Sequence, residues 1–99
     1  MSYSVYVRRL AELDALEAQA WYELQQSGLG ASFNEAFGHA LHKLELKPLR
    51  YQKIFGLVRR VVLRRFPYLL WFVVEDADVV VIACTHGKRG RSFIRSVLG

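Results

Sequence analysis

Residues 69–85 read LLWFVVEDADVVVIACT: two apolar runs, Leu69–Val74 and Val79–Cys84, on either side of Glu75-Asp76-Ala77-Asp78. A short polar cluster between runs rich in aromatic and β-branched residues is the signature of a hairpin. Neither run alternates with polar residues. Leu69, Trp71 and Val73 share one face and Leu70, Phe72 and Val74 the other; Val79, Val81 and Ala83 likewise alternate with Val80, Ile82 and Cys84. An antiparallel sheet with one wet face shows polar alternation. Both faces of this hairpin are therefore expected to be covered.

The preceding run, Val58–Phe66, reads as a further strand, with Phe66-Pro67-Tyr68 at its junction to the hairpin. Upstream of it, Tyr51 and Gly56 lie in a loop. Near the N-terminus, Tyr3–Val7 is a short first strand. Leu10, Leu13, Leu16 or Glu17, Ala20, Trp21 and Leu24 then fall at helical spacing, which predicts a helix from about Ala11 to Gln26. Gly28 suits the left-handed position past its end.

Ser32-Phe33-Asn34-Glu35 matches a capping box. A second helix is expected to follow, with Phe33, Phe37, Ala40, Leu41 and Leu44 on one face, stopped near Leu46 by Pro48. The short Ser27–Gly30 link makes the pair an antiparallel hairpin. The predicted fold class is α+β: an N-terminal strand, then an antiparallel two-helix hairpin packed on a twisted antiparallel sheet. The helices cover one face of that sheet. The other face calls for a partner protein or a second subunit. Ser92–Leu98 reads as a last helical turn or a tail.

The 99 residues suit one domain spanning 1–99. Hydrophobic residues make up 53% of the chain, enough to build a core. The formal charge is +5, and the cations concentrate in residues 47–99, against only Glu75, Asp76 and Asp78. Such a basic half suits a polyanion or an acidic protein segment. One cysteine excludes an internal disulfide and suits a reducing compartment. The N-terminus lacks a signal-peptide core, and the apolar runs are too short to span a bilayer. A soluble cytoplasmic protein that does not engage membranes is expected.

Two arginine pairs, Arg59-Arg60 and Arg64-Arg65, interrupt the strand before the hairpin. By alternation Arg59 and Arg65 share a side with Val61 and Leu63, and Arg60 and Arg64 share the other with Val62. Either some of them join Lys88, Arg89 and Arg91 in an anion-binding patch, or they extend from a strand edge and pair with helix acids. His86, at a strand end among cations, is either a general base or a loop-bonded structural histidine. His39 and His42 lie one turn apart with no third ligand near, so no metal site is expected. Cys84, in an apolar strand, behaves as a small hydrophobe. Tyr51, Phe55 and Tyr68 suit core packing better than base stacking. No Gly-rich phosphate loop, Cys-x-x-Cys or Ser-centred nucleophile motif is present, and no cofactor is expected.

In order and in local strings the chain resembles the RelE/ParE superfamily of type II toxin–antitoxin toxins, over nearly its whole length. The resemblance rests on Asp14 before Trp21-Tyr22-Glu23, Gly28-Leu29-Gly30 before Phe33, and Pro48 with Tyr51. It continues through Val58-Arg59-Arg60, Arg64-Arg65-Phe66-Pro67-Tyr68, Ala83-Cys84-Thr85-His86 and Lys88-Arg89. It departs in starting the first helix from Arg8-Arg9-Leu10, and in offering Phe93 where a tail tyrosine is common.

The resemblance implies a bacterial toxin held by a cognate antitoxin, with Leu69, Trp71, Val73 and Val81 as antitoxin contacts. Whether it forms a homodimer or a toxin–antitoxin hetero-oligomer is left open. RelE-like members cut mRNA on the ribosome; for that activity the resemblance implies Arg60 or Arg64, with Arg89, at the phosphate-clamp positions and His86 as a base. ParE-like members poison DNA gyrase without such chemistry, and Arg59, Arg65, Lys88 and Arg91 are then target contacts. The Trp-Tyr-Glu, Gly-Leu-Gly and Arg-Arg-Phe-Pro-Tyr strings look nearer to the ParE side.

Overall fold

The computed structural model describes residues 2–87 and orders them as strand β1 (Ser4–Val7), helices α1 (Arg9–Gln25) and α2 (Leu29–Leu46), a 3-10 turn at Pro48–Arg50, and strands β2 (Lys53–Phe55), β3 (Val58–Val62), β4 (Tyr68–Glu75) and β5 (Asp78–His86). The strands form one sheet in the order β1-β5-β4-β3-β2. The expected α+β architecture is present. Lys88, Arg89, Arg91 and the tail expected at Ser92–Leu98 lie outside the described residues.

The sheet is antiparallel except at one edge, where β1 runs parallel to β5, pairing Ser4–Val7 with Asp78–Val81. Parallel pairing needs a long crossover, and the helices with three intervening strands supply it. β1 covers only the first half of β5; past it, Arg8 N donates to Val81 O at 2.9 Å and α1 takes over. The residue before β1 is in turn tied to the end of α2, where Tyr3 N donates to Glu45 O at 2.8 Å.

Strand β3 ends at Val62, four residues before the expected Phe66. Leu63 N still donates to Tyr68 O at 2.9 Å. Arg65 then adopts φ +70°, and Pro67 has no N–H to give, so the ladder stops there. Sequence reading also missed β2. It is three residues long, and Gly56 at φ +55° turns it back onto β3.

The hairpin of β4 and β5 forms as expected around Asp76, which takes the left-handed φ of +56°. Its register carries a bulge: Trp71 pairs with Ala83 and Phe72 with Val81, leaving Ile82 as the extra residue. That insertion corrects the simple alternation. Val81 and Cys84 both join the helix-side core, whereas Ile82 and Ala83 both turn to the opposite face.

The helix-side core unites Phe33, Ala36, Ala40 and Leu44 of α2 with Val61, Leu70, Phe72, Val79 and Val81 of the sheet. From α1 it takes Ala11, Ala15 and Ala18. Small side chains let this helix approach the sheet closely, and its leucines and Trp21 point outward.

The opposite face, expected to need a partner for its cover, is already buried in part within the chain. Val58, Leu69, Trp71, Ile82 and Ala83 are buried there, with Ile54, Phe55, Val73 and Val80 packed around them. The missed strand β2 is part of the reason, since Phe55 lies 6.2 Å from Trp71 between ring centroids.

Candidate functional site

The two arginines of β3 are held by the fold. Arg59 lies on the helix side of the strand, as alternation predicts, and its Nη1 donates to Leu49 O at 3.4 Å and to Tyr51 O. It thereby supplies donors to carbonyls at the 3-10 turn and fastens that turn to the sheet. Arg60 lies on the opposite face, its guanidinium 5.7 Å from the centroid of the Trp71 ring. This is cation–π distance, and the arginine covers an indole that has no exposed surface. The indole N–H donates to Thr85 Oγ1 at 2.9 Å, so Trp71 is fixed from both sides.

Arg64 and Arg65 project from the bend between β3 and β4, both exposed. Arg64 comes near α2. His39 there titrates below its ordinary range, first through local desolvation and then through the positive charges of Arg64, Lys43 and His42. These four groups form a basic patch on the helix side of the bend.

His86 closes β5. It pairs with Tyr68 across the hairpin, their rings edge-to-face with centroids 5.3 Å apart. It also lines a groove of about 390 Å³ between α1 and the hairpin end, with Asp14, Glu17, Trp21, Tyr68 and Cys84. Cys84 is buried, and its thiol is pushed up to about 12, first by that burial and then by the negative charge of Asp14. Such a thiol is not a nucleophile at neutral pH.

The residues expected at a phosphate clamp come from different elements: Arg60 from β3, Arg64 from the bend after it and His86 from the end of β5. Arg60 pairs with Trp71, three residues along β4 from the Tyr68 that pairs with His86. Two strand spacings and three residues of rise put Arg60 and His86 roughly 14 Å apart along the sheet. Arg64 adjoins α2, whereas His86 adjoins the groove beside α1. Arg89, with Lys88 and Arg91, lies outside the described residues. Of the apolar side chains assigned to a partner, Leu69 and Trp71 are buried on the face opposite the helices, Val81 is buried on the helix side, and Val73 is half-buried. Among the described residues no three His, Cys, Asp or Glu side chains group as a metal site, and no helix is long and apolar enough to cross a membrane.

Several strings singled out in the sequence meet in one structural knot. Tyr22 stacks on Phe33 at 5.7 Å and meets Phe66 edge-on at 4.8 Å; Phe33 lies 5.2 Å from both Phe66 and Tyr68. Next to Tyr22, the Glu23 carboxylate accepts from Gly28 N at 3.1 and 3.2 Å and from Gly30 N at 3.0 Å. It therefore caps α2 from the preceding helix.

This cap corrects the expected box at Ser32–Glu35. Helix α2 starts four residues earlier, at Leu29 with Gly28 as its N-cap, and the Ser32 hydroxyl donates back to Gly28 O at 3.3 Å from within it. Gly28, at φ +95°, is left-handed as expected, though it serves as the N-terminal boundary of α2. Gly30 is required by close approach, because a Cβ there would stand 2.9 Å from Glu23 Oε1 and 3.1 Å from Gln19 O.

No family model matches the sequence, and no curated protein matches it. Among solved structures, the chain superposes on a chain of the chromosomal ParDE TA system from P. aeruginosa with a TM-score of 0.75, covering 85% of this chain and 95% of that one. Identity over the match is 15%, so what the two share is the fold.

Proposed function

We propose that the chain is the toxin component of a type II toxin–antitoxin pair, that it is ParE-like, poisoning DNA gyrase in the cytoplasm, and that a cognate antitoxin neutralises it. The fold shared with a chain of a ParDE TA system supports the first part of this reading. The observation that carries the second is the dispersal of the basic residues. Arg59 is bonded to carbonyls, Arg60 lies against Trp71, and strand β4 separates Arg60 from His86. Stabilising a phosphoryl transition state requires several donors converging on one anion. Side chains committed to the sheet at this separation serve binding and stability instead. Antitoxin contact on the face opposite the helices then falls to Val73 and the rim around Trp71 and Leu69, since Val81 packs under the helices.

The test uses the purified chain, freed of any antitoxin, in two parallel assays. In the first, gyrase supercoils plasmid DNA; the expected result is loss of supercoiling with accumulation of cleaved plasmid. In the second, mRNA on programmed ribosomes is expected to stay intact. Cuts in the message at codon register, with gyrase unaffected, overturn the ParE-like reading in favour of a RelE-like ribosome-dependent nuclease.

A further inference from the structure

Helix α1 is built with its apolar residues on the outside. Alanines 11, 15 and 18 face the sheet, whereas Leu10, Leu13, Leu16, Trp21 and Leu24 are between 46% and 83% exposed. Leu10, Leu13, Glu17, Ala20 and Leu24 follow one another at intervals of three and four residues. That spacing makes a continuous seam on one side of a helix, flanked here by Leu16 and Trp21. From Leu10 to Leu24 the seam is about 21 Å long at helical rise. Exposed leucines scattered singly need no explanation, but an aligned row does.

Charge decides what kind of partner fits. In a chain of formal charge +5, helix α1 carries Glu12, Asp14, Glu17 and Glu23 against a single cation, Arg9 at its first residue. Glu23 is engaged in capping α2. Glu17 stands in the seam itself, between Leu13 and Ala20. A second copy of this chain is a poor occupant. Antiparallel pairing that matches Leu10 with Leu24 sets Glu17 against Glu17, and parallel in-register pairing does the same. Covering Glu17 with an apolar surface strands a carboxylate without water. A cation opposite it removes that cost and forms a charge-assisted hydrogen bond.

We infer that the outer face of α1 is a docking ridge for an amphipathic helix of a partner protein, one that carries an Arg or Lys within its apolar stripe to meet Glu17. The leucines and Trp21 supply the apolar contact, and Glu17 fixes register and selects the partner. The inference stands apart from the gyrase reading, since it rests on exposure and charge alone.

The probe is a pair of synthetic 21-residue helical peptides with leucines at three-and-four spacing on one face. One has Arg at the centre of that face and the other has Glu. Binding to the full chain is read by tryptophan emission, which reports Trp21 because Trp71 is fully buried. The Arg peptide is expected to bind at least ten-fold more tightly than the Glu peptide. Glu17→Lys should reverse that order, and Leu13→Asp should abolish binding with the melting temperature unchanged, since Leu13 is a surface residue. Equal binding of the two peptides, or no response to either, overturns the inference. So does a chain that sediments as a dimer and becomes monomeric in Leu13→Asp, because the occupant is then a second copy.

Discussion

At the scale of single residues, the two cations of β3 have separate structural duties on opposite faces of one strand, Arg59 at Tyr51 O and Arg60 at Trp71. The face each arginine takes was legible in the period-two pattern. Its partner was not, because backbone carbonyls and one particular indole are brought near only by the fold. Glu23 is a similar case: its role as a cap seven residues ahead of Gly30 follows no local capping pattern, and the local rule pointed to Ser32 instead. Replacing Glu23 by alanine removes an acceptor for Gly28 and Gly30 at the positive end of α2. We expect a loss of about 1 kcal/mol in urea unfolding; an unchanged midpoint rules out the cap. Cys84 makes a second prediction. Its thiol ionises near 9.0 when unfolded and at about 12 when folded. The folded state therefore holds its proton while the unfolded state releases one, and stability falls as pH rises from 9.0 towards 12. Cys84→Ala should show a shallower fall over that window, measured as unfolding free energy against pH, and parallel curves for the two proteins refute the assignment.

At the scale of elements, the aromatic knot explains why three separated strings belong together. Tyr22 comes from α1, Phe33 from α2, Phe66 from the bend and Tyr68 from β4, so four rings tie the helical hairpin to the sheet. Phe66→Ala removes the ring that meets both helices and should cost about 3–5 kcal/mol. Against the roughly 5–15 kcal/mol of a typical domain, that is enough to lower the thermal midpoint sharply; a shift of only a degree or two contradicts the role given to the knot. Element type and order could be read from periodicity because long helices and apolar runs repeat their signal. Strand β2, at three residues, is too short to repeat anything. The β5 bulge was hidden for another reason: one inserted residue in an all-apolar run leaves no polar mark of the change in face. The orientation of α1 was not legible either, since leucines and alanines both recur at helical spacing and it is the alanines that face the sheet.

At the scale of the molecule, the sheet is the organising object. One face is closed by α2 and the alanine side of α1, the other by Phe55, Arg60 and their neighbours around Trp71. The fold was largely legible from the order of helices and strands, whereas the site was legible only as a set of basic residues. Distances decide whether such a set acts as one centre, and β4 lies between two of its members. On the proposed ParE-like reading, growth arrest by this chain should come from contact with its target, without general acid–base chemistry by His86. The most direct test expresses the Arg60→Gln, His86→Gln double variant in bacterial cells and scores colony survival beside the parent chain, after a thermal melt has established that the variant is folded. Arrest is expected to persist, within about ten-fold of the parent in surviving colonies. A folded variant that no longer arrests growth contradicts it, and returns those two side chains to a catalytic role.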